Sequence, residues 1–508
     1  MFSQINSFGL LGIDSFLITV ETDLSRGLPS FDIVGLPDTA VKESRDRVRS
    51  AMKNCGFDFP VNKITINLAP ADIKKEGAIY DLPILISLLI ASNQISCKTD
   101  SCAFVGELSL SGKVRPIKGL LPMVIKAKEL HIKELFVPEE NAPEASVIDG
   151  IDVYPVDKVD SLISHLTGKF KISKITPNFG FQSPLKNILD FSQVKGQQDA
   201  KLALEIAAAG GHNVILIGPP GSGKSMLAKR IPTILPDMTT DESIETTKIY
   251  SIAGKLPQNS GLITQRPFRS PHHTISATGL SGGGSIPKPG EISLAHNGIL
   301  FLDELAEFSR ASIETLRQPV ESGTVTISRV KGSVSYPCSI MLIAATNPCP
   351  CGYYGHPNKQ CTCTQKAIKR YLSKFSGPLL DRIDLHVEVP PVDFDSLSSS
   401  VKGESSQEIK KRVNNARKIQ LERYNNLGIT CNAKIPPSLV NKICALTPPA
   451  ESILKLAFEK LDLSARAYDK ILKISRTIAD LENCDSTDST HVSQAIQYRS
   501  LDRKYWSH

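Results

Sequence analysis

The chain has 508 residues, 41% hydrophobic and 22% charged, a globular balance that excludes a wholly disordered protein and calls for about two to four domains rather than one core. Its formal charge of +7, from 59 basic and 52 acidic residues, permits a polyanionic partner without requiring one, so nucleic-acid binding has to be argued from local patches. The first residues lack the basic opening of a secretory signal, and the longest apolar run, 82–91, is too short to span a bilayer. A cytoplasmic protein without membrane contact is expected, and its eleven cysteines read as thiols or metal ligands rather than disulfides.

Residues 1–165 read as a first α+β domain. Segments 16–20 and 63–68 alternate apolar and polar residues, as half-buried strands do. Segment 41–52 interleaves charged and apolar residues as a surface helix, and 82–91 reads as a buried helix. Segment 104–112 reads as a strand ending in a turn, and 124–130 as a further helix. Residues 166–189 lack periodicity and read as a linker.

A second domain, 190–395, is organised around Gly218-Pro219-Pro220-Gly221-Ser222-Gly223-Lys224-Ser225. An alanine-rich helix at 200–209 and an apolar strand at 213–217 precede this run, and a helix-capable stretch opening with Ser225-Met226 follows it. That is the strand–loop–helix context of a phosphate-binding loop rather than of a simple Gly/Pro turn. Its backbone N–H groups would cradle the phosphates of ATP, Lys224 would reach the β/γ-phosphates, and Ser225 would ligate Mg²⁺. Further on, an apolar strand ends in Asp303-Glu304, two acids at a strand's C-terminal edge. Asp303 is placed to hold Mg²⁺ and Glu304 to orient the attacking water; the competing reading is a strand followed by an N-capping acid. The strand 339–345 leads to Asn347, a polar residue suited to the γ-phosphate or the water, or else a strand-end turn before Pro348.

Residues 323–336 alternate in period 2 around Lys331-Gly332 and read as a hairpin with a basic tip. Cys349, Cys351, Cys361 and Cys363 form a C-x-C…C-x-C cluster that could hold a structural Zn²⁺; the alternative is four unliganded loop thiols. From 396 to 508, helical patterning at 409–424 and 468–481 points to an all-α lid domain.

Between the phosphate loop and Asp303 lie Arg266-Pro267-Phe268-Arg269-Ser270-Pro271-His272-His273-Thr274, the run Gly279–Gly284 and Pro289-Gly290-Glu291-Ile292-Ser293-Leu294-Ala295-His296. This set resembles the magnesium-chelatase-type AAA+ ATPases and, within them, the ComM/YifB family. The N-terminal Gly35-Leu36-Pro37, Asn67-Leu68-Ala69-Pro70-Ala71, Tyr80-Asp81-Leu82-Pro83, Gly106-Glu107-Leu108 and Pro116-Ile117-Lys118-Gly119-Leu120 resemble the Lon-protease-like domain of such proteins. The resemblance implies an α/β multidomain chain: a Lon-like α+β domain, a P-loop core built on a parallel sheet and a helical lid. Lon-type peptidases use a serine–lysine pair. The region of Ile79 holds no serine and Leu121 stands where the lysine would follow, so a non-proteolytic domain is expected.

The resemblance also implies roles for single residues. Val194 would contact adenine, Asn347 would match sensor 1, Arg382 would be an arginine finger serving a neighbouring subunit, and Arg466 would match sensor 2. The alternative for Arg382 is an ion pair with Asp381 or Asp384 of its own chain. A homo-oligomeric ring, a hexamer by resemblance, would drive branch migration or unwinding of branched or forked DNA in recombination or natural transformation, with the hairpin lining its central pore. Arg329 and Lys331 would then touch phosphates, unless the hairpin tip is merely solvated. The rival readings are chelatase-like or protein-remodelling ATPase activity, and a nucleotide-switched DNA-binding scaffold.

Overall fold

In the computed structural model, residues 1–176, 189–257, 261–284, 287–329, 332–392, 403–461 and 463–506 are described. The strand Phe2–Leu11 folds back on Asp14–Ser25 in a long antiparallel ladder, Phe2 facing Asp23 and Leu11 facing Asp14. These two strands are the middle of a seven-stranded mixed sheet. Lys63–Ala69 and Ser30–Val34 extend it on one side, and Cys102–Phe104, Glu134–Pro138 and Asp152–Val156 on the other. The helix Asp81–Ala91 carries Ile84, Leu85, Ile86, Leu88 and Leu89, all 0% exposed, against one face. Each such side chain contributes about 1.5–3 kcal/mol on burial, so this helix anchors the domain. The helix Leu120–Glu129 builds a second apolar layer with Phe8, Val105 and Val137.

Several local expectations shift. The stretch expected as one helix at 41–52 is two, Thr39–Lys42 and Ser44–Asn54. The stretch 104–112 is not one strand. The chain leaves the sheet after Phe104, and Glu107–Leu108 pairs instead with Val114–Arg115. Gly106 is bonded outside the sheet, its N–H donating to Ile79 O at 3.0 Å and its carbonyl accepting from Leu82 N–H at 3.1 Å, and it has no room for a side chain, since a Cβ would lie 2.7 Å from Val114 Cγ1. In the linker expected at 166–189, residues 177–188 lie outside the described residues.

The chain divides into two compact units: the described part of residues 1–183 together with 243–263, and the remainder. Residues 243–263 come from within the ATPase stretch, yet they belong to the N-terminal unit's core. There Ile244 and Leu262 pack on the Leu120–Glu129 layer, and the Gly119 N–H donates to Ser251 O at 3.1 Å. The Ser251 hydroxyl donates to the buried Glu144 carboxylate.

The second unit is built on five parallel strands in the order Phe268–Arg269, Ile299–Leu302, Met341–Thr346, Val214–Ile217 and Leu385–Glu388. Val214–Ile217, Ile299–Leu302 and Met341–Thr346 are buried throughout, the signature of a parallel sheet covered on both faces. Five helices follow among the described residues after 403: Ser406–Arg423, Pro437–Ile443, Pro448–Leu461, Ala465–Leu481 and Ser489–Tyr505. Ser405 and Glu408 close a reciprocal capping box on the first. The fully buried Asp480 accepts from Arg423 at 2.9 Å, Arg476 at 3.0 Å and Asn432 at 2.8 Å, pinning two of these helices together.

Candidate nucleotide site

Three neighbouring strands deliver the site. Val214–Ile217 runs into the glycine loop, Ile299–Leu302 into Asp303-Glu304, and Met341–Thr346, which lies between them, into Asn347. The loop turns at Gly221 and Gly223, with φ of 78° and 90°, and Gly223 caps the helix Lys224–Ala228. Gly218 has no room for a side chain, since a Cβ would meet Val389 O at 2.2 Å.

The polar groups converge. Lys224 Nζ donates to Gly218 O at 2.7 Å, Pro219 O at 2.9 Å and Asn347 Oδ1 at 3.2 Å. Burial lowers its pKa to about 8, against the opposing pull of Asp303 and Glu304. Ser225 Oγ donates to Asp303 Oδ2 at 2.6 Å, so the two oxygens expected to bind Mg²⁺ already share one spot. Glu304 adopts φ 51°, its N–H bonded to Asp303 Oδ1 at 3.0 Å and its side chain 64% exposed. The buried Ser222 Oγ in the loop has no hydrogen-bond partner. A buried ammonium facing neutral acceptors, an orphaned loop hydroxyl and a hydroxyl–carboxylate pair make a donor set that fits a nucleoside triphosphate with a divalent cation.

The remaining expected residues have other surroundings. Val194 is 1% exposed and packed in the hydrophobic core, while Met226 is half-buried against that core. Arg382 donates to Pro378 O and pairs with Glu321, not with Asp381 or Asp384. Arg466, on the helix Ala465–Leu481, is 55% exposed and lies 3.9 Å from Asp381. Burial would raise Asp384, but the Lys470 ammonium at 2.9 Å and His212 hold it well below the ordinary carboxylate range. The hairpin is present as Thr324–Arg329 paired with Gly332–Pro337, Arg329 facing Gly332. Lys331 lies outside the described residues, as does the side chain of Arg329. Within the run 266–274, Arg266 is engaged with Pro236 O, Asn297 O and Glu242, and Arg269 with Glu291.

Two residues of the site escaped the sequence reading. Gln197, in the left-handed region at φ 56°, donates to Ser222 O and braces the phosphate loop. His273 Nδ1 lies 3.9 Å from Glu304 Oε2. A polar residue after Lys195-Gly196 was the only signal for the first; the second stood in the run 266–274, with nothing to tie it to Glu304.

The four cysteines come together. Cys349 Sγ lies 3.4 Å from Cys351 Sγ and 3.7 Å from Cys361 Sγ, Cys351 and Cys361 are 3.6 Å apart, and all four sulfurs fall within 4.8 Å of one another. Four sulfurs around a zinc at about 2.3 Å would be about 3.8 Å apart, so the spacing suits a tetrahedral ion. Burial pushes Cys349 up to about 12; at Cys351 it is outweighed by the N–H groups of Tyr353 and Thr362, which bring the thiol down to about 6. His356 is not part of the group, its Nδ1 accepting from the N–H groups of Asn358 and Lys359 at 3.0 Å.

Family models for the magnesium chelatase subunit ChlI match residues 20–141, 190–397 and 403–499. The chain is 44% identical over 504 residues to the protein YifB of Escherichia coli K12, covering 99% of this chain and 97% of that one. It is 43% identical over 498 residues to the competence protein ComM of Haemophilus influenzae, covering 97% and 96%. The chain belongs to the ComM/YifB-type magnesium-chelatase-like AAA+ family. Both relatives align with this chain over nearly the whole of its length and of theirs. The N-terminal part is also 24% identical over 164 residues to a Lon protease of Mycolicibacterium smegmatis, which covers 30% of this chain and 21% of that protease. A Lon-like domain therefore precedes the AAA+ core. No helix among the described residues is long and apolar enough to cross a membrane.

Proposed function

We propose that this protein is an ATP-hydrolysing ring motor that acts on DNA. The observation that carries the ATPase part is the meeting of Lys224, Ser225, Asp303 and Asn347 at the ends of three adjacent strands. The loop N–H groups and Lys224 would bind the triphosphate, and Ser225 and Asp303 would hold Mg²⁺, which when bound would supply charge neutralisation at the phosphates. Glu304 takes up the proton side of the attacking water, and Asn347 fixes the water and γ-phosphate relative to Lys224.

Arg382, whose side chain is 15% exposed, is by resemblance the group suited to serve a neighbour's nucleotide, which is the reason for a closed ring, read as a hexamer. In a monomer Glu321 occupies it; a neighbour's phosphates would replace that carboxylate. The DNA part is supported by the two-stranded hairpin with its basic tip and by the competence protein among the relatives. Lys331 and Arg329 would contact phosphates without reading sequence. The four-cysteine group is proposed to hold a structural Zn²⁺, with no open position for chemistry. The protein works in the cytoplasm, where its thiols stay reduced and DNA is at hand.

The test is the steady-state ATPase rate with and without forked or four-way DNA, at low and moderate salt. Stimulation that fades with salt supports the motor. An ATPase indifferent to every DNA form sinks the DNA part and leaves chelatase-like or remodelling work, with the nucleotide site intact.

A further inference from the structure

The loop carrying the four sulfurs leans on the phosphate loop. Gly352, directly after Cys351, has φ 83°, and a Cβ built there would lie 2.4 Å from Pro220 Cδ and 2.7 Å from Pro220 Cγ. Only glycine satisfies both the backbone angle and the close approach. Pro219 and Pro220 offer no N–H to a phosphate, so that half of the loop contributes stiff rings and fixed φ rather than donors. Gly218 and Pro219 also line a cavity of about 40 Å³ with Tyr354, His356, Glu388 and Tyr505. Tyr354 is tied back to the sulfurs, its N–H donating to Cys349 Sγ at 3.3 Å. On the other side, Cys349 stands two residues past Asn347, whose side chain accepts from Lys224. The sulfur group is thus bracketed by two contacts with the nucleotide site, Asn347 on Lys224 and Gly352 on Pro220.

We infer that a zinc ion bound by Cys349, Cys351, Cys361 and Cys363 sets the shape of the phosphate loop and thereby the affinity for ATP. With the metal in place, the turn 347–352 is clamped, Gly352 stays seated on Pro220, and Asn347 stays on Lys224. Without it, the turn relaxes and the loop loses its backing. Zinc binding releases the thiol protons to solvent and moves no electrons. The inference rests on the reading of the glycine loop as an ATP site and of the four sulfurs as a zinc site, and it assigns to that metal a task beyond local stability.

Full-length protein, loaded with zinc and then stripped with a chelator, is compared by zinc content and by titration with a fluorescent ATP analogue. One zinc per chain is expected, with roughly tenfold weaker analogue binding after stripping and recovery on adding zinc back. Gly352→Ala is expected to keep its zinc, which shows that the loop has folded, and still bind the analogue roughly tenfold more weakly. Unchanged analogue affinity after stripping, or wild-type affinity in zinc-loaded Gly352→Ala, overturns the coupling. Absence of zinc from protein grown and purified with it overturns the metal site and leaves the nucleotide site standing. Failure of the zinc-loaded wild type to bind the analogue overturns the nucleotide reading itself.

Discussion

The two units of this chain treat the same kind of position in opposite ways. In the Lon-like unit, the resemblance puts a peptidase's nucleophile in the region 76–79 and its base at Leu121; Leu121 is fully buried and Ile79 packs against both apolar layers. In the ATPase unit, the segments that follow the strands keep Lys224, Asp303, Glu304 and Asn347, with the Lys224 ammonium held largely out of water. Polar groups at strand ends are costly to bury unless something repays them. Where no ligand does, apolar residues close the gap and the site becomes core; where phosphates do, the charges stay.

The largest effect that would sharpen this contrast is on catalysis. Glu304→Gln should lower ATP hydrolysis by about 10²–10⁴-fold while ATP binding persists. Phosphate release and analogue titration on the same sample check it, and hydrolysis at the wild-type rate would remove Glu304 from the role of base.

Next comes Lys470→Ala, which strands the buried Asp384. Breaking such a pair costs about 3–5 kcal/mol, expected as an earlier denaturant transition of the ATPase unit alone. A transition shifted equally in both units would contradict the division drawn here.

In the Lon-like unit, Leu121→Ala should cost about 2–5 kcal/mol through the cavity it leaves, with the ATPase rate of the folded protein unchanged. Installing serine at 79 and lysine at 121 together should destabilise the unit and yield no casein cleavage; measurable cleavage would mean that the site had kept its peptidase geometry.

The smallest effect is in acid. Asp384 is held below its ordinary value, so its stabilisation is present above the unfolded carboxylate pKa of about 3.9 and is lost as pH falls below it. Glu144 is the reverse. Burial, only partly offset by bonds from Ser251, Leu121 and Asn141, raises it, so its contribution is fullest below about pH 4.3 and is lost as pH rises. Calorimetry from about pH 6 down to about pH 3.5 should show the ATPase unit losing about 1 kcal/mol relative to the Lon-like unit. Parallel loss in both would break the comparison.

Much of the nucleotide site is legible in the sequence because each piece is contiguous. A loop that must turn twice with positive φ needs Gly221 and Gly223 in place, and a buried parallel strand ending in acids is written as Ile299-Leu300-Phe301-Leu302-Asp303-Glu304. The hairpin 324–337 and the close spacing of the cysteines are local in the same way. What the chain alone left open are pairings between residues far apart. The strand order that sets Asn347 between Lys224 and Asp303, the bracing of the loop by Gln197, and the choice of Glu321 by Arg382 each join segments that no local pattern links. The segment 243–263 is the clearest case. The helix Thr240–Ala253, in which the segment begins, mixes polar residues all round, so nothing in its periodicity announces that Ser251 meets Glu144, more than a hundred residues earlier, in the core of the N-terminal unit. Backbone conformation is dictated residue by residue, but burial is decided by whichever distant surface fits, and only the folded chain brings those surfaces together.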